Sequence, residues 1–407
     1  MLTIFSLKNY GPYQEETVFD LRAVPSYKEH EYNLERVTKD EDVLKVAVIY
    51  GANASGKSQF VDACFVFRAM VQGTFRAASP SGEGDDNAVR LEGEGPFAKW
   101  YNPFLLSDEE EDTEFEATFE AKEGTYRYGF SYNAEAITAE WLYFVNRKTN
   151  RQSTILERAV GEGISLGASV RGECNKYVPN IPKDVLALSF FDSLVLKTEV
   201  FKNAASEVYA ILPIPNLSVD KETRLFLDSY FDHEYSDETK GALIDFLSEV
   251  DLGIVDFTVE RSKSGVAVWT HRKGRDGRTY RLPLELESDG TLKMIALFSL
   301  LDNAITKGLG LIIDELDAEL HPLLVRHIVS LFHKEESHGQ LVFTAHDLSL
   351  LDRRYLRRDQ VWFTSKDECG AAKLTCLSDY RVRNDSSFGD AYLAGVFGAI
   401  PNIVNRG

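Results

Sequence analysis

Apolar positions fall into three kinds of run along this chain, and each kind predicts a different element. Leu2, Ile4, Phe5 and Leu7, followed by Val18 and Phe19 beyond Gly11-Pro12, read as two strands joined by a turn. Val46-Ala47-Val48-Ile49-Tyr50 is a short continuous apolar run, the pattern of a strand covered on both faces. Phe60, Val61, Cys64, Phe65, Phe67 and Met70 then recur at helical spacing. The Gly-rich residues 51–58 therefore lie between a buried strand and a helix.

Farther along, Glu114–Ala121, Tyr126–Tyr132 and Trp141–Arg147 alternate and are rich in aromatics, which predicts an antiparallel β lobe. Helical spacing takes over between Lys183 and Val250 (Val185, Leu188, Val200, Ala204, Val208, Leu212, Leu225, Phe226, Tyr230, Leu243, Phe246, Leu247), broken at Pro213 and Pro215. That stretch predicts a helical insertion, without the sustained heptads of a coiled-coil arm. Residues 254–286 alternate again as strands. The last third alternates a helix at 290–305, a strand at 309–313, a helix at 322–333, and strands at 340–344 and 360–364. This is α/β order with a mainly parallel sheet. Residues 77–96 read as a loop, and 107–112 as an acidic hairpin tip. The expected segments are 1–160, 161–250 and 251–407.

Composition narrows the partners. The 407 residues carry 45 Lys and Arg against 64 Asp and Glu, a formal net charge of −19. A chain this acidic is poorly suited to coat nucleic acid or anionic lipid. The one dense basic cluster, Arg353, Arg354, Arg357 and Arg358, reads first as a solvated face and second as a phosphate or partner contact. Cys64, Cys174, Cys369 and Cys376 form no C-x-x-C pair and predict reduced thiols. The opening Met1–Lys8 lacks the basic head and apolar run of a signal peptide, and no apolar stretch reaches the ~20 residues of a membrane helix. A cytoplasmic protein with no membrane partner is expected.

Four segments carry candidate chemistry. Gly51-Ala52-Asn53-Ala54-Ser55-Gly56-Lys57-Ser58, with Gln59 next to it, fits the phosphate-loop pattern G-x-x-x-x-G-K-[ST]. Glycines let backbone N–H groups converge on phosphate oxygens, and the following helix adds its positive end. In that pattern Lys57 reaches the outer phosphates and the Ser58 hydroxyl ligates Mg²⁺. Leu311-Ile312-Ile313-Asp314-Glu315 is a buried strand ending in two carboxylates: Asp314 is placed to hold Mg²⁺, and Glu315 to orient or activate the attacking water. His346 follows the apolar strand Leu341-Val342-Phe343, where it can contact a terminal phosphate. Ser288-Asp289-Gly290-Thr291 opens an apolar helix and offers another anion-binding end.

In this order the four segments resemble the ATP-binding-cassette class of ATPases, in its SMC, RecF and overcoming-lysogenization-defect branch. Gly51–Ser58 matches Walker A, Ser288-Asp289-Gly290 a shortened signature motif, Leu311–Glu315 Walker B, Asp317 the D-loop, and His346 the switch histidine. Asp314–Pro322 and Ile4–Tyr10 look like further marks of that branch. Asn102-Pro103-Phe104, Tyr126–Phe130, Glu140-Trp141-Leu142 and the tail Tyr392–Pro401 resemble the small bacterial abortive-infection ATPases of the AbiL/Rlo kind. The signature departs from the family pattern, Ser-Asp-Gly replacing Ser-Gly-Gly, and no Q-loop glutamine is assigned.

The resemblance implies an ATPase head: a mainly parallel core sheet and an antiparallel β lobe, with a helical insertion. Residues 1–160 and 251–407 would be its two halves. It further implies ATP and Mg²⁺ as cofactors, with Glu315, His346 and Lys57 in the catalytic roles. It implies a homodimer or higher homo-oligomer, in which Ser288 and Gly290 of one copy cover the nucleotide of the other. The expected role is anti-phage defence, as sensor or scaffold for a separate effector, a nuclease or toxin from the same operon. The alternative is a RecF/SMC-like DNA-maintenance ATPase, which the acidic balance disfavours.

Overall fold

The Val46–Gly51 strand is buried at all six positions, and the rest of the fold is arranged about it. It pairs in parallel with Gln340–Thr344 on one side and with Val361–Lys366 on the other. Gly310–Ile313 lies beyond Gln340–Thr344, and Ile211–Ile214 forms that edge. The antiparallel strand Ala372–Cys376 closes the opposite edge. The computed structural model describes residues 1–38, 41–78, 96–107, 111–215, 217, 227, 230–231, 235–249, 253–262, 265–381 and 387–400.

A second sheet of seven strands is antiparallel throughout, in the order Gly163–Leu166, Arg151–Ala159, Ile137–Asn146, Gly124–Tyr132, Thr113–Glu120, Leu2–Lys8 and Thr17–Asp20. The helix Lys57–Ala78 lies between the two sheets. Its Phe67 stacks on Phe130 with ring centroids 5.6 Å apart, and Phe60 meets Phe5 edge-on at 5.9 Å. The period-2 geometry of the central strand then divides its side chains. Ala47 and Ile49 join the core shared with the second sheet, whereas Val46, Val48 and Tyr50 join the core under the helix Asp289–Lys307. Each fully buried Val or Ile side chain there contributes about 1.5–3 kcal/mol.

The expected α/β architecture is therefore present, with the antiparallel lobe and the alternating last third. One element differs. The helical spacing read between Lys183 and Val250 holds for Ala187–Asp192, Val200–Tyr209 and Asp237–Glu249. Leu212, however, sits in the strand Ile211–Ile214, which pairs with Gly310–Ile313. Pro213, read as a break, is tolerated because the strand is an edge. The expected strands of 254–286 form a separate three-stranded sheet. Residues 79–95 of the expected loop, 108–110 of the acidic tip, Leu225, Phe226, Val250 and Pro401 lie outside the described residues.

The basic cluster is corrected at Arg357, while Arg353 and Arg354 are exposed as a solvated face requires. Arg357 is buried, held by Asp359 at 2.8 Å and by the carbonyls of Tyr27, Glu29 and Val24. Arg354 pairs with Asp352 at 2.7 Å, and Arg353 and Arg358 lie over the Phe388 ring. All four cysteines are free thiols, Cys369 alone being exposed. Among the described residues, no helix is long and apolar enough to cross a membrane.

Candidate functional site

The three central parallel strands end on one level, and the side chains that follow them converge there. Residues 51–58 leave the end of Val46–Gly51 and enter the helix that begins at Lys57. The loop takes two left-handed turns, Ala54 at φ 61° and Gly56 at φ 117°. At Gly56 a side chain would meet the Tyr13 hydroxyl at 3.1 Å and Pro12 at 3.3 Å, so a glycine is required by both conformation and space. Ser55 Oγ lies 2.5 Å from Thr364 Oγ1 and ties the loop to the neighbouring strand. Lys57 Nζ donates to the carbonyls of Gly51 at 2.8 Å and Ala52 at 3.1 Å. Burial lowers the pKa of this ammonium from its ordinary value, and Asp314, Glu315 and Asp317 partly offset that. Ser58 is exposed, and the Gln59 side chain accepts from Asn102 at 3.1 Å.

The strand Gly310–Ile313 ends in the two carboxylates. Asp314 is buried, and its Oδ1 accepts the Thr344 hydroxyl at 2.6 Å. Glu315 turns at φ 48°, and its N–H donates to the same Thr344 oxygen at 2.7 Å. Its carboxylate stands 3.6 Å from His346 Nε2, with the two side chains 51% and 43% exposed. Asp317 Oδ2 accepts the N–H groups of His346 at 2.7 Å and Asp347 at 2.6 Å, which fixes the turn that carries the histidine. The other Asp317 oxygen is buried and unpartnered.

A cavity of about 750 Å³ is lined by Pro12, Asn53, Ala54, Gly56, Lys57, Ser58, Gln59, Glu315, His346 and Lys366. Small-molecule sites span about 300–1,000 Å³, so a nucleoside triphosphate fits by size. The donor set fits as well: loop amides, one buried ammonium and one hydroxyl face the carboxylate–imidazole pair. Among the described residues no three His, Cys, Asp or Glu side chains form a metal cluster. Mg²⁺ does not require one, because it is usually held by one or two carboxylates together with substrate phosphates. Ser58, which lines this cavity, and Asp314, which lines a second pocket that shares Glu315 with it, are the residues that would hold it.

Sequence reasoning thus placed the phosphate loop, Glu315 and His346, and the fold brings them to one cavity. Ser288 and Gly290 lie apart from it. Ser288 is exposed and caps the helix Asp289–Lys307, its Oγ accepting the Thr291 N–H at 3.2 Å. That helix touches the Asp317 segment from behind through Lys293, whose buried ammonium donates to the Ala318 carbonyl. Sequence reasoning missed Pro12, Thr364 and Lys366. For Thr364 and Lys366 the signal is register: Thr364 pairs with Gly51 across the sheet, which local spacing does not encode.

The family described as "AAA domain, putative AbiEii toxin, Type IV TA system" matches residues 46–159 and 197–352. An SMC head domain from Thermotoga maritima is 12% identical with a TM-score of 0.40, over 92% of this chain and 98% of that one. An Smc head bound to the C-winged helix domain of ScpA is 15% identical with a TM-score of 0.44, over 92% and 97%. An Smc head with an extended coiled coil, bound to the C-terminal domain of ScpA and derived from Pyrococcus furiosus, is 14% identical with a TM-score of 0.40, over 97% and 98%. No curated protein sequence matches the chain.

Proposed function

We propose, from the premise that this chain belongs to the AbiEii-type AAA family and is an ATPase, that it hydrolyses ATP at the cavity above residues 51–58. We propose too that two copies close over the nucleotide to signal to a separate effector in anti-phage defence. One observation carries the first part: the phosphate loop, Glu315 and His346, far apart in the chain, line the same cavity. Lys57, freed from its own loop carbonyls, pairs with the outer phosphates. The loop amides and the positive end of the Lys57–Ala78 helix hold the remaining phosphate charge. Glu315 orients water and takes its proton, with His346 beside it to contact the terminal phosphate. Ser58 and Asp314 would hold Mg²⁺, which would supply positive charge against the phosphates.

Dimer closure rests on two features. Glu315 and His346 are about half exposed in a single copy, so their water is not excluded. Ser288 and Gly290, with the exposed Leu286 beside them, stand on a surface apart from that cavity and are free to meet a partner's nucleotide. Loss of the terminal phosphate would then remove the contact and turn nucleotide state into dimer geometry. Mass measurement with ATP tests this. Glu315→Gln is expected to hold a closed dimer, and Lys57→Ala to remain single and unliganded. A Glu315→Gln protein with undiminished phosphate release would refute the assignment.

The defence role is supported by the family's description and by the abortive-infection motifs. The effector is identified by co-purifying the natural operon, and Lys57→Ala in that operon is expected to abolish plaque reduction. The DNA-clamping alternative is weakened by the burial of Arg357 and the pairing of Arg354. Salt-dependent duplex binding by the purified protein would revive it.

A further inference from the structure

A lysine that none of the motifs accounts for faces the same cavity. Lys366 ends the strand Val361–Lys366 and lines the cavity with Lys57, Ser58 and Gln59. It is exposed, and among the described residues its ammonium has neither an ion-pair nor a hydrogen-bond partner. Its backbone is nevertheless fixed. Thr364 pairs with Gly51, so the next two residues run beside the phosphate loop. Ala372, the cross-strand partner of Lys366, donates its N–H to the Pro12 carbonyl at 2.7 Å, and its Cβ lies 3.2 Å from the place a Gly56 side chain would begin. A second cation, besides Lys57, thus stands beside the loop in a protein of net charge −19, whose general field repels anions.

Sheet order decides which end of a nucleotide it meets. Reading across the core sheet from the Ile211–Ile214 edge, the strand leading to Asp314 and Glu315 comes next, then the strand before His346, then the strand of the phosphate loop, and then the strand of Lys366. Glu315 and His346 therefore approach from one side of the loop and Lys366 from the other. We propose that Lys366 contacts the inner end of the bound nucleotide, the α-phosphate and ribose, and not the terminal phosphate. This rests on residues 51–58 being the nucleotide loop. A contact present before, during and after hydrolysis strengthens binding uniformly and leaves the chemical step alone.

The test compares Lys366→Ala and Lys366→Arg with the unaltered full-length chain. Equilibrium binding of fluorescent ADP and of a nonhydrolysable ATP analogue is measured, together with steady-state phosphate release. Lys366→Ala is expected to weaken both nucleotides by the same factor, about tenfold for a lost charge-assisted contact. Its kcat at saturation stays within about twofold, as expected for uniform binding, and Lys366→Arg recovers most of the affinity. Unchanged affinity for both, weakening of the triphosphate alone, or a fall in kcat at unchanged affinity would each overturn the proposal. Lys57→Ala separates the two levels. If it abolishes binding while Lys366→Ala does not weaken it, only the role of Lys366 falls. If the unaltered chain binds neither nucleotide, the phosphate-loop assignment falls with it.

Discussion

The hydroxyl of Thr344 joins the two carboxylate positions at the end of the neighbouring strand: it donates to Asp314 Oδ1 at 2.6 Å and accepts the Glu315 N–H at 2.7 Å. Its single proton is committed to Asp314, so the backbone of Glu315 is fixed by the oxygen lone pair. Thr344→Val keeps the shape but leaves a buried carboxylate oxygen and an N–H unpaired. A loss of about 1–3 kcal/mol is expected in denaturant unfolding. Phosphate release should fall with it, and Thr344→Ser should recover most of both.

Asp317 holds the turn of His346 through two backbone N–H groups. Asp317→Ala frees that turn, and each lost charge-assisted bond costs about 1.5–3 kcal/mol locally. Phosphate release is expected to fall while affinity for a nonhydrolysable analogue changes little, because residues 51–58 are untouched. Equal loss of both would count against a role confined to the histidine turn.

Burial lowers the pKa of Lys57 from the ordinary 10.5. The charged form is therefore disfavoured in the folded, unliganded chain. The resulting penalty on folding is present at neutral pH and is relieved as pH rises through the lowered value. In the proposed role of Lys57 nucleotide binding needs the charge, so affinity should begin to fall at a pH below 10.5. Titrating nucleotide affinity against pH in the unaltered chain and in Lys57→Arg checks this: arginine stays protonated, and its alkaline limb should be absent.

His333 is pushed down to about 3 from 6.5, first by burial and then by Lys45 and His30. Below 6.5 the unfolded chain takes up a proton that the folded chain refuses until about 3, so stability drains away across that window as pH falls. One proton corresponds to a slope of ~1.4 kcal/mol per pH unit. His333→Phe, which keeps a ring against Tyr32, is expected to flatten the acid limb of a urea-unfolding series by about that slope.

Most of the candidate site was legible because its motifs are local. Gly51–Ser58, Asp314-Glu315 and His346 each follow a short apolar run, and such runs end at the same edge of a parallel sheet. What escaped depends on pairing between distant residues. Ile211–Ile214 has a strand partner at Gly310–Ile313, and Leu212 alone fits a helix just as well. Lys366 becomes a cavity residue only through the register of Thr364 on Gly51. Arg357 looks like surface charge in the sequence, yet Asp359 and three carbonyls satisfy it inside the protein.

The central strand Val46–Gly51 has its two hydrogen-bonding neighbours at 340–344 and 361–366. On a ribosome, the segment proposed to grip phosphate emerges early and then waits for most of the polypeptide to follow. A nascent chain stopped before residue 340 carries the complete loop motif with no wall on either side to shape it. Competence to hold nucleotide therefore comes late in synthesis, and truncated products are expected to be inert rather than half-active.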